Sequence, residues 1–592
     1  MFKRLKSMRS RIGNRNWIYI CLFFIWGLPI FLRFSCMVGI EAPGGLVALN
    51  VMEVMLAAGS LLFFTEKPKV VLLLLYIPAF LLSVFESFLT DIRGMCLQPA
   101  DIYSFKTALS VADGYLGSIK EAFVFPSIFL LPILIFILLF VPFDLKVRID
   151  AGKRKLVGVA SLVLLVLSFF FITQSQLLSD YEEMYDKRLQ ASKMGVVTSF
   201  LYDLKDLRVS EPEGYSEKRA MEILDRYEVS GSESDNKPDV VVIMDEAFSD
   251  VSVLCNELPF DNSYIPFVRS VLNGNVPDTE YGYLDVSVIG GNTVNTEWEF
   301  LTGNSMRFTT GVPFQQWITD DTDLSYALPS LFNDAGYRTI AMHPYNAGGY
   351  RRNTVYQKFG FDEMIFQDDF VHQELVREFV SDEAVFSEVK DHLEDGEDPK
   401  FIFAVTMQNH AWYQETEGFA QDFTFKDPEV FVEGDESLNT YLTLENITDK
   451  ALEEFINWCD ERERPTIIVF FGDHEPAPVV TSAIADTEDA KDYYKVPYLI
   501  HANFPISSCH KDTSPNFLGL RVLDLANVTG TAYQEFLKDV HAQYDSVSVF
   551  VPEEIVGETL EEYRVVQHYQ MFANKNFVSE NTFRHSIRNA FL

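Results

Sequence analysis

Five long apolar segments in the first third of the chain limit its fold more than any other feature. They lie at about residues 17–36, 43–64, 70–90, 122–143 and 156–174. Each is close to the roughly 20 residues that a helix needs to cross a bilayer. A signal peptide is the alternative for the first segment, but that segment is long and no clear small-residue cleavage site follows it. The sequence therefore predicts a transmembrane domain with five helices over residues 1–178.

The basic residues between these segments predict which side of the membrane each connection faces. Residues 1–15 carry six Lys and Arg, residues 65–69 carry two, and residues 143–155 carry five. Because Lys and Arg are retained on the cytoplasmic side, these three stretches are predicted to be cytoplasmic. Five spans then place everything after about residue 175 on the other side. We expect a multi-pass protein of the cell membrane with an extracellular C-terminal region.

The rest of the chain is strongly acidic. Residues 1–178 carry 17 Lys and Arg against 10 Asp and Glu, whereas the remaining residues carry 31 against 75. Such a region repels nucleic acid, so no nucleic-acid partner is expected. The six cysteines include no C-x-x-C pair and predict neither a disulfide framework nor a zinc knuckle.

The acidic region divides into a linker, a domain and an extension. We predict a linker with a helical segment at 179–236, a catalytic domain at 237–550, and a C-terminal extension at 551–592. Within the domain, short runs of β-branched and aromatic residues alternate with helical patterns. These runs are DVVVIM (239–244), RTIAM (338–342), KFIFAVTM (400–407), PTIIVFF (465–471) and KVPYLI (495–500). The alternation predicts an α/β fold with a mostly parallel sheet and helices on both faces.

Polar residues follow four of these runs, where ligands bind in such sheets. They are Asp245 and Glu246, His343, Asn409 and His410, and Asp473 and His474. Any single pair could be a helix cap or a turn, but four strand ends together indicate a site. Carboxylate and imidazole ligands without a thiolate suit Mn²⁺ or Mg²⁺ better than Zn²⁺.

A glycine pair precedes a cluster of hydroxyl side chains in VSVIGGNTVNTEWEFLTG (286–303). A threonine in this segment would lie at the start of a helix, where backbone N–H groups favour a phosphoryl anion. Metal coordination could lower its pKa enough to make it a nucleophile. Asn292, Asn295 and Thr296 could also act as ligands or caps there.

With these segments, nearly the whole chain resembles the lipoteichoic acid synthase family. These are membrane phosphoglycerol transferases of the alkaline phosphatase and sulfatase superfamily, with five spans and an extracellular sulfatase-like domain. The resemblance implies one Mn²⁺ (or Mg²⁺) bound by four residues, with the threonine as the catalytic nucleophile. The four matching positions are Glu246 in IMDEAF, Thr293 in GGNTVNTEWEF, and Asp473 and His474 in FFGDHEP.

Positions on the substrate side also match the family. Its His followed seven residues later by Trp-x-Arg corresponds to His343, Tyr350 and Arg352. Its Asn-His segment corresponds to Asn409 and His410, which implies a catalytic and substrate-binding role for His410. Tyr350 stands where the family has Trp, so headgroup recognition can differ in detail.

The resemblance implies transfer of glycerol phosphate from phosphatidylglycerol through a phosphothreonine-type intermediate. The acceptor would be a polyglycerol phosphate (lipoteichoic acid) chain or a glycolipid. Sulfate-ester hydrolysis is not expected, because Thr-Val-Asn-Thr-Glu replaces the C/S-x-P-x-R signature of sulfatases. The alternatives are a phosphoethanolamine transferase of the same superfamily and a non-catalytic membrane scaffold.

Overall fold

The computed structural model describes most of the chain. The described residues are 14–36, 42–93, 97–99, 101, 123–174, 178, 187–229, 237–255, 264–411, 413, 419, 436–476, 480, 485, 487, 489–549 and 557–573. They fall into two compact units, one from Asn14 to Arg208 and the other from Val209 to Ala573.

The first unit is built from apolar helices. They are α1 (Asn14–Ser35), α2 (Gly44–Leu61), α3 (Pro68–Arg93), α4 (Val124–Phe129), α5 (Leu131–Leu139) and α6 (Ala151–Gln174). Among the described residues, α1, α2, α3 and α6 are long and apolar enough to cross a membrane. These four helices confirm an apolar helical region in the N-terminal third. The basic segment at residues 1–13 lies outside the described residues.

The fourth predicted span, 122–143, is divided into two short helices. α4 ends at Phe129, α5 begins at Leu131, and Pro132 occupies the first turn of α5. A proline fits the first turn of a helix, where its missing N–H would have no intrahelical partner in any case. Pro132 therefore marks the start of α5, whereas Pro29 and Pro78 lie inside the continuous helices α1 and α3.

The surface of this unit is apolar as well as its interior. Leu72 and Ile137 are fully buried, whereas Phe23, Leu156 and Leu167 keep 57%, 68% and 58% of their surface exposed. Large exposed apolar side chains along long helices are typical of a surface that faces lipid.

Two further helices in this unit, α7 (Lys187–Met194) and α8 (Val196–Tyr202), pack on α2 through Asn50. Asn50 Nδ2 donates to the carbonyl oxygens of Leu46 and Met194 over 2.8 and 2.7 Å. Asn50 Oδ1 accepts from the backbone N–H groups of Val197 and Thr198, both over 3.1 Å. Asn50 therefore caps α8, which is needed because Gly195 before it makes no side-chain cap.

The second unit contains an eight-stranded sheet in the order β10-β2-β9-β8-β1-β7-β3-β4, and a separate hairpin of β5 and β6. The strands are β1 (Asp239–Asp245), β2 (Thr279–Asp285), β3 (Arg338–His343), β4 (Glu363–Phe366), β5 (Leu375–Val376), β6 (Phe379–Val380), β7 (Lys400–Val405), β8 (Thr466–Gly472), β9 (Lys495–Ala502) and β10 (Cys509–His510).

The mostly parallel sheet predicted from sequence is confirmed. β4, β3, β7, β1 and β8 are parallel neighbours. β9, which contains the predicted run 495–500, is antiparallel to both β8 and β2. The sequence prediction did not include β2, whose residues TEYGYLD contain two acidic residues and a central glycine, or the short β4.

The helices of this unit cover both faces of the sheet. They are α9 (Glu217–Leu224), α10 (Pro266–Leu272), α11 (Thr293–Thr302), α12 (Pro313–Gln316), α13 (Leu328–Asp334), α14 (Arg352–Phe359), α15 (Asp382–Glu394), α16 (Glu436–Asp460), α17 (Pro515–Ala526), α18 (Ala532–His541) and α19 (Glu558–Phe572). On one face, Ile243 shares a buried cluster with Phe386 of α15 and Phe455 of α16. On the other face, Phe300 of α11 stacks on Phe403, with centroids 5.8 Å apart.

The predicted linker and extension lie partly outside the described residues, at 179–186, 230–236, 551–556 and 574–592. Within the described part, α9 lies in the predicted helical segment, and Arg226 forms an ion pair of 2.6 Å with Glu562 of α19. Gln567 of α19 also bonds both backbone groups of Ser305, just after α11. The limits of the catalytic domain at residues 237 and 550 remain a proposal. The compact unit that contains this domain begins earlier in the chain, at Val209.

Candidate active site

The parallel strands bring the predicted polar residues to one edge of the sheet. β1, β3, β7 and β8 run in the same direction, so their carboxyl ends lie at the same edge. Glu246 follows β1, His343 ends β3, His410 follows β7, and Asp473 follows β8. The backbone ties two of these ends together, because Ala247 N–H donates to Asp473 Oδ1 over 2.8 Å.

Glu246, Asp473 and His474 form a cluster that could hold a metal ion. One ligand atom from each residue lies within 4.8 Å of the others, and all three residues are buried. His474 Nε2 is 3.2 Å from Asp473 Oδ2 and 3.8 Å from Glu246 Oε1. Neither His474 Nε2 nor Asp473 Oδ2 makes a hydrogen bond within the described part of the chain. Buried polar atoms of this kind normally have partners, so the donor set fits a divalent cation.

The protonation of these residues agrees with a cation site. His474 Nδ1 lies 2.9 Å from the carbonyl oxygen of Glu475, which can only accept, so the proton is on Nδ1. When the imidazole carries only this proton, its lone pair is on Nε2, as a metal ligand requires. Burial, followed by the negative charge of Asp473, raises the pKa of Glu246 to about 8. A cation would relieve this cost by stabilising the carboxylate.

Thr293 begins α11 next to this cluster. Gly290, Gly291 and Asn292 before it all have positive φ values of 63°, 152° and 61°, which explains the glycine pair. The loop is fixed to the segment after β8, because Gly290 N–H donates to the carbonyl oxygen of Glu475 over 3.0 Å. As a result, Thr293 Oγ1 lies 3.4 Å from Glu246 Oε2. The N-cap residue makes no side-chain cap hydrogen bond, so no cap competes with an anion there.

Arg352 and His343 contact each other through a hydrogen bond. His343 Nδ1 lies 3.1 Å from the carbonyl oxygen of Val405, so this nitrogen carries the proton. His343 Nε2 then accepts from Arg352 Nη1 over 2.9 Å. Burial, and then the charge of Arg352, hold the pKa of His343 well below its usual value. In this arrangement neutral His343 orients Arg352.

His410 and Tyr350 complete the predicted set. His410 Nδ1 lies 2.7 Å from the carbonyl oxygen of Ala411 and therefore carries the proton. Burial lowers the pKa of His410, so its ring is neutral near pH 7 with the lone pair on Nε2. The negative charge of Asp473 partly offsets this lowering. Tyr350 has a φ of 49°, and its ring centroid is 5.5 Å from Arg352 Cζ.

The sequence motifs assigned no role to Glu297, which contacts Arg352 and Tyr356. Glu297 is fully buried, four residues after Thr293 on α11, and it forms an ion pair with Arg352. The four-residue spacing between Thr293 and Glu297 indicates that both lie on one side of α11, because residues i and i+4 share one face of a helix. Its partner is 55 positions away along the chain, so the pairing itself could not be read from local sequence.

Known proteins resemble parts of this chain. The Sulfatase family model matches residues 238–528. A Rhizobium meliloti protein named for cyclic beta-1,2-glucan modification is 30% identical over 440 residues, covering 68% of this chain and 65% of the relative. Lipoteichoic acid synthase of Staphylococcus aureus is 24% identical over 250 residues, covering 40% of this chain and 36% of the synthase. The chain thus spans less than two thirds of either relative.

A solved structure shows the same fold. The phosphoglycerol transferase GacH of Streptococcus pyogenes, in complex with sn-glycerol-1-phosphate, superposes with a TM-score of 0.51 at 20% identity. The match covers 63% of this chain and 98% of that structure. Together with the family match, these relatives confirm the resemblance inferred from the sequence motifs.

Proposed function

Because residues 238–528 form a sulfatase-family domain of the alkaline phosphatase superfamily, we propose that this chain is a membrane phosphoglycerol transferase. The observation that carries the proposal is the position of Thr293 Oγ1 at a helix N-terminus, 3.4 Å from a carboxylate of the buried metal-type cluster. A hydroxyl beside such a cluster is suited to attack phosphorus.

The proposed reaction has two steps. In the first, the Thr293 oxygen bonds to the phosphorus of phosphatidylglycerol, the bond from phosphorus to the diacylglycerol oxygen breaks, and diacylglycerol leaves with a proton. In the second, an acceptor hydroxyl bonds to phosphorus, the bond to Thr293 breaks, and the threonine regains its proton. Mn²⁺ or Mg²⁺ held by Glu246, Thr293, Asp473 and His474 would lower the pKa of the threonine hydroxyl and offset phosphate charge.

The remaining residues bind and orient the substrate. Arg352 is buried with its guanidinium plane fixed, which suits a planar fork that holds phosphate oxygens. Neutral His410, with its lone pair on Nε2, is suited to accept the proton of the attacking acceptor hydroxyl. Tyr350 offers an aromatic surface to the headgroup, and His343 keeps Arg352 in place.

The N-terminal unit supports a lipid donor. Four of its helices are long and apolar enough to cross a membrane, and we propose that the segment 122–143 provides the fifth span. Five spans would place the catalytic unit outside the cytoplasm. Tags after residue 150 and after residue 592 should then report opposite sides of the membrane, and two cytoplasmic tags would overturn this placement.

From the sequence motifs, we propose that the acceptor is a polyglycerol phosphate chain or a glycolipid. A second candidate is the hydroxyl of an extracytoplasmic glucan. It is favoured by the relative named for glucan modification, which matches 68% of this chain, whereas lipoteichoic acid synthase matches 40%. With either acceptor, the first step, in which Thr293 attacks phosphatidylglycerol, is the same.

The deciding experiment supplies the purified full chain with Mn²⁺ and with phosphatidylglycerol labelled in its headgroup. A parallel reaction contains headgroup-labelled phosphatidylethanolamine. We expect diacylglycerol release and label on an added glycolipid or glucan only from phosphatidylglycerol, and none with Thr293→Ala. Transfer only from phosphatidylethanolamine would establish the phosphoethanolamine transferase instead. A protein that binds no stoichiometric Mn²⁺ and releases no diacylglycerol would be the non-catalytic scaffold.

A further inference from the structure

The buried carboxylate of Glu297 holds one edge of the Arg352 guanidinium. Arg352 Nε donates to Glu297 Oε1 over 3.0 Å, and Nη2 donates to the same oxygen over 2.5 Å. Glu297 has none of its surface exposed, and Arg352 has only 4% exposed. With His343 Nε2 accepting from Nη1 on the other side, the plane and rotation of the guanidinium are fixed.

The second oxygen of Glu297 is fixed too. Tyr356 donates its hydroxyl to Glu297 Oε2 over 2.6 Å. Tyr356 lies on α14, which begins at Arg352, so one helix carries both partners of the carboxylate. Glu297 is therefore clamped from two positions one turn apart and has little freedom to rotate.

Glu297 also links this clamp to Thr293. Both residues lie on α11, four positions apart, and hence on the same face of the helix. A buried ion pair is weak evidence for stability, since well-packed apolar side chains often stabilise a fold as much. The ion pair of Glu297 and Arg352 is better explained by the need to orient Arg352. A reacting group and its anion-binding partner must be held within about 0.5 Å of their working positions.

We propose that Glu297 is a positioning residue that sets the direction in which Arg352 presents its guanidinium to the substrate phosphate. This inference rests on the proposed function, in which Arg352 holds the phosphate beside Thr293. Glu297 itself contacts Arg352 and Tyr356 and is not one of the clustered metal-type ligands. Its substitution should therefore affect phosphate binding and leave Mn²⁺ binding unchanged.

The test uses the full chain in detergent with Mn²⁺, titrated with inorganic phosphate by calorimetry. Glu297→Gln keeps the shape and removes the charge, while Glu299→Gln is the matched control on the same helix. Glu299 is equally buried but bonds Ser287 and the Met306 backbone. We expect Glu297→Gln and Arg352→Lys each to weaken phosphate binding about tenfold or more, and Glu299→Gln to change it by less than about twofold.

A double variant separates positioning from a structural role. If Glu297 acts through Arg352, adding Glu297→Gln to Arg352→Lys should weaken phosphate binding by no more than about twofold further. In the transfer reaction, Glu297→Gln should lower kcat/KM in the same proportion as Arg352→Lys and leave Mn²⁺ affinity unchanged. Should Glu297→Gln fail to fold, Tyr356→Phe, which keeps the ion pair, should weaken phosphate binding by about threefold.

The outcomes distinguish this inference from the proposed function. Normal phosphate binding by Glu297→Gln, equal loss in Glu299→Gln, fully additive losses in the double variant, or no phosphate binding by the wild type would overturn the positioning role. The expected phosphate pattern together with no transfer from phosphatidylglycerol would leave the positioning role standing and overturn the proposed donor.

Discussion

Buried polar side chains differ in how the fold supplies their hydrogen-bond partners, as Asn50 in one unit and Asp473 and His474 in the other show. Asn50 in the N-terminal unit is 4% exposed, and all its hydrogen-bonding groups are directed at backbone groups of α2, α7 and α8. Asp473 and His474 in the second unit are 0% and 2% exposed, yet one atom of each has no hydrogen-bond partner among the described residues.

The difference teaches how to tell a structural group from a functional one. Burial alone does not separate them, since Asn50, Asp473 and His474 are all nearly inaccessible to solvent. Complete hydrogen bonding does separate them, because a polar group whose partners are all supplied by the fold stabilises that fold. Convergent groups left without partners indicate a missing ligand. The predictions below test this division, from the largest expected effect to the smallest.

Removing the metal should have the largest effect. Chelation should abolish transfer, and added Mn²⁺ should restore it, while Asn50 and its helices keep their structure. Because the pKa of Glu246 is about 8 without a cation, the ion must displace a proton, and its affinity should fall as pH falls from 8 to 6. Calorimetric Mn²⁺ titrations at the two pH values measure this, and full activity in excess chelator would remove the metal from the site.

Replacing the nucleophile should cost at least about a thousandfold in transfer rate, because no other group takes its place. Thr293→Ala should fold normally, and Thr293→Ser, which keeps the hydroxyl, should retain some turnover. Mass spectrometry after brief exposure to substrate should place a glycerophosphoryl adduct on the peptide containing Thr293.

Thr296→Ala is the control for Thr293→Ala. Thr296 is also buried on α11, but its hydroxyl donates to the backbone carbonyl of Asp473 over 2.8 Å. Its loss should cost about 1 kcal/mol of stability and much less activity. Near-normal transfer by folded Thr293→Ala, or an adduct on another residue, would contradict the assignment.

The central strands and their ends could be predicted because each is encoded by one continuous stretch of sequence. β1, β7 and β8 are continuous apolar runs, and each is followed by its polar residue. The direction of β9 could not be predicted, since composition does not encode whether a strand runs parallel to its neighbour. β2 was missed because its acidic residues and its central glycine resemble a polar loop. The pairing of Glu297 with Arg352 depends on tertiary packing, which no single motif reports.

A buried carboxylate of the second unit gives a pH-dependent test. Burial raises the pKa of Glu299 to about 8 from its usual value of 4.5, so the folded protein holds a proton there that the unfolded chain releases. This contribution to stability is complete below pH 4.5 and is lost as pH rises from 4.5 through 8, by up to about 5 kcal/mol in total and about 3 kcal/mol between pH 6 and pH 9. Glu299→Gln, which resembles the protonated acid, should remove that loss. Denaturant unfolding at pH 6 and pH 9 measures it, and equal pH slopes in both proteins would contradict the argument.

The smallest expected effect is that of Asn50→Ala, and it tests the structural side of the comparison. The change removes the Oδ1 acceptor of two α8 N–H groups and the Nδ2 donor to two carbonyl oxygens, which should destabilise the protein by about 2 kcal/mol. Ser60→Ala is the control on the same helix, because Ser60 makes a local bond to the Ala57 carbonyl, and it should cost below about 0.5 kcal/mol. Thermal unfolding in detergent measures both, and transfer by the folded fraction should be unchanged in both. Asn50→Ala protein that keeps its melting temperature but loses transfer would show that a fully satisfied polar group carries function, and the division between the two units would fail.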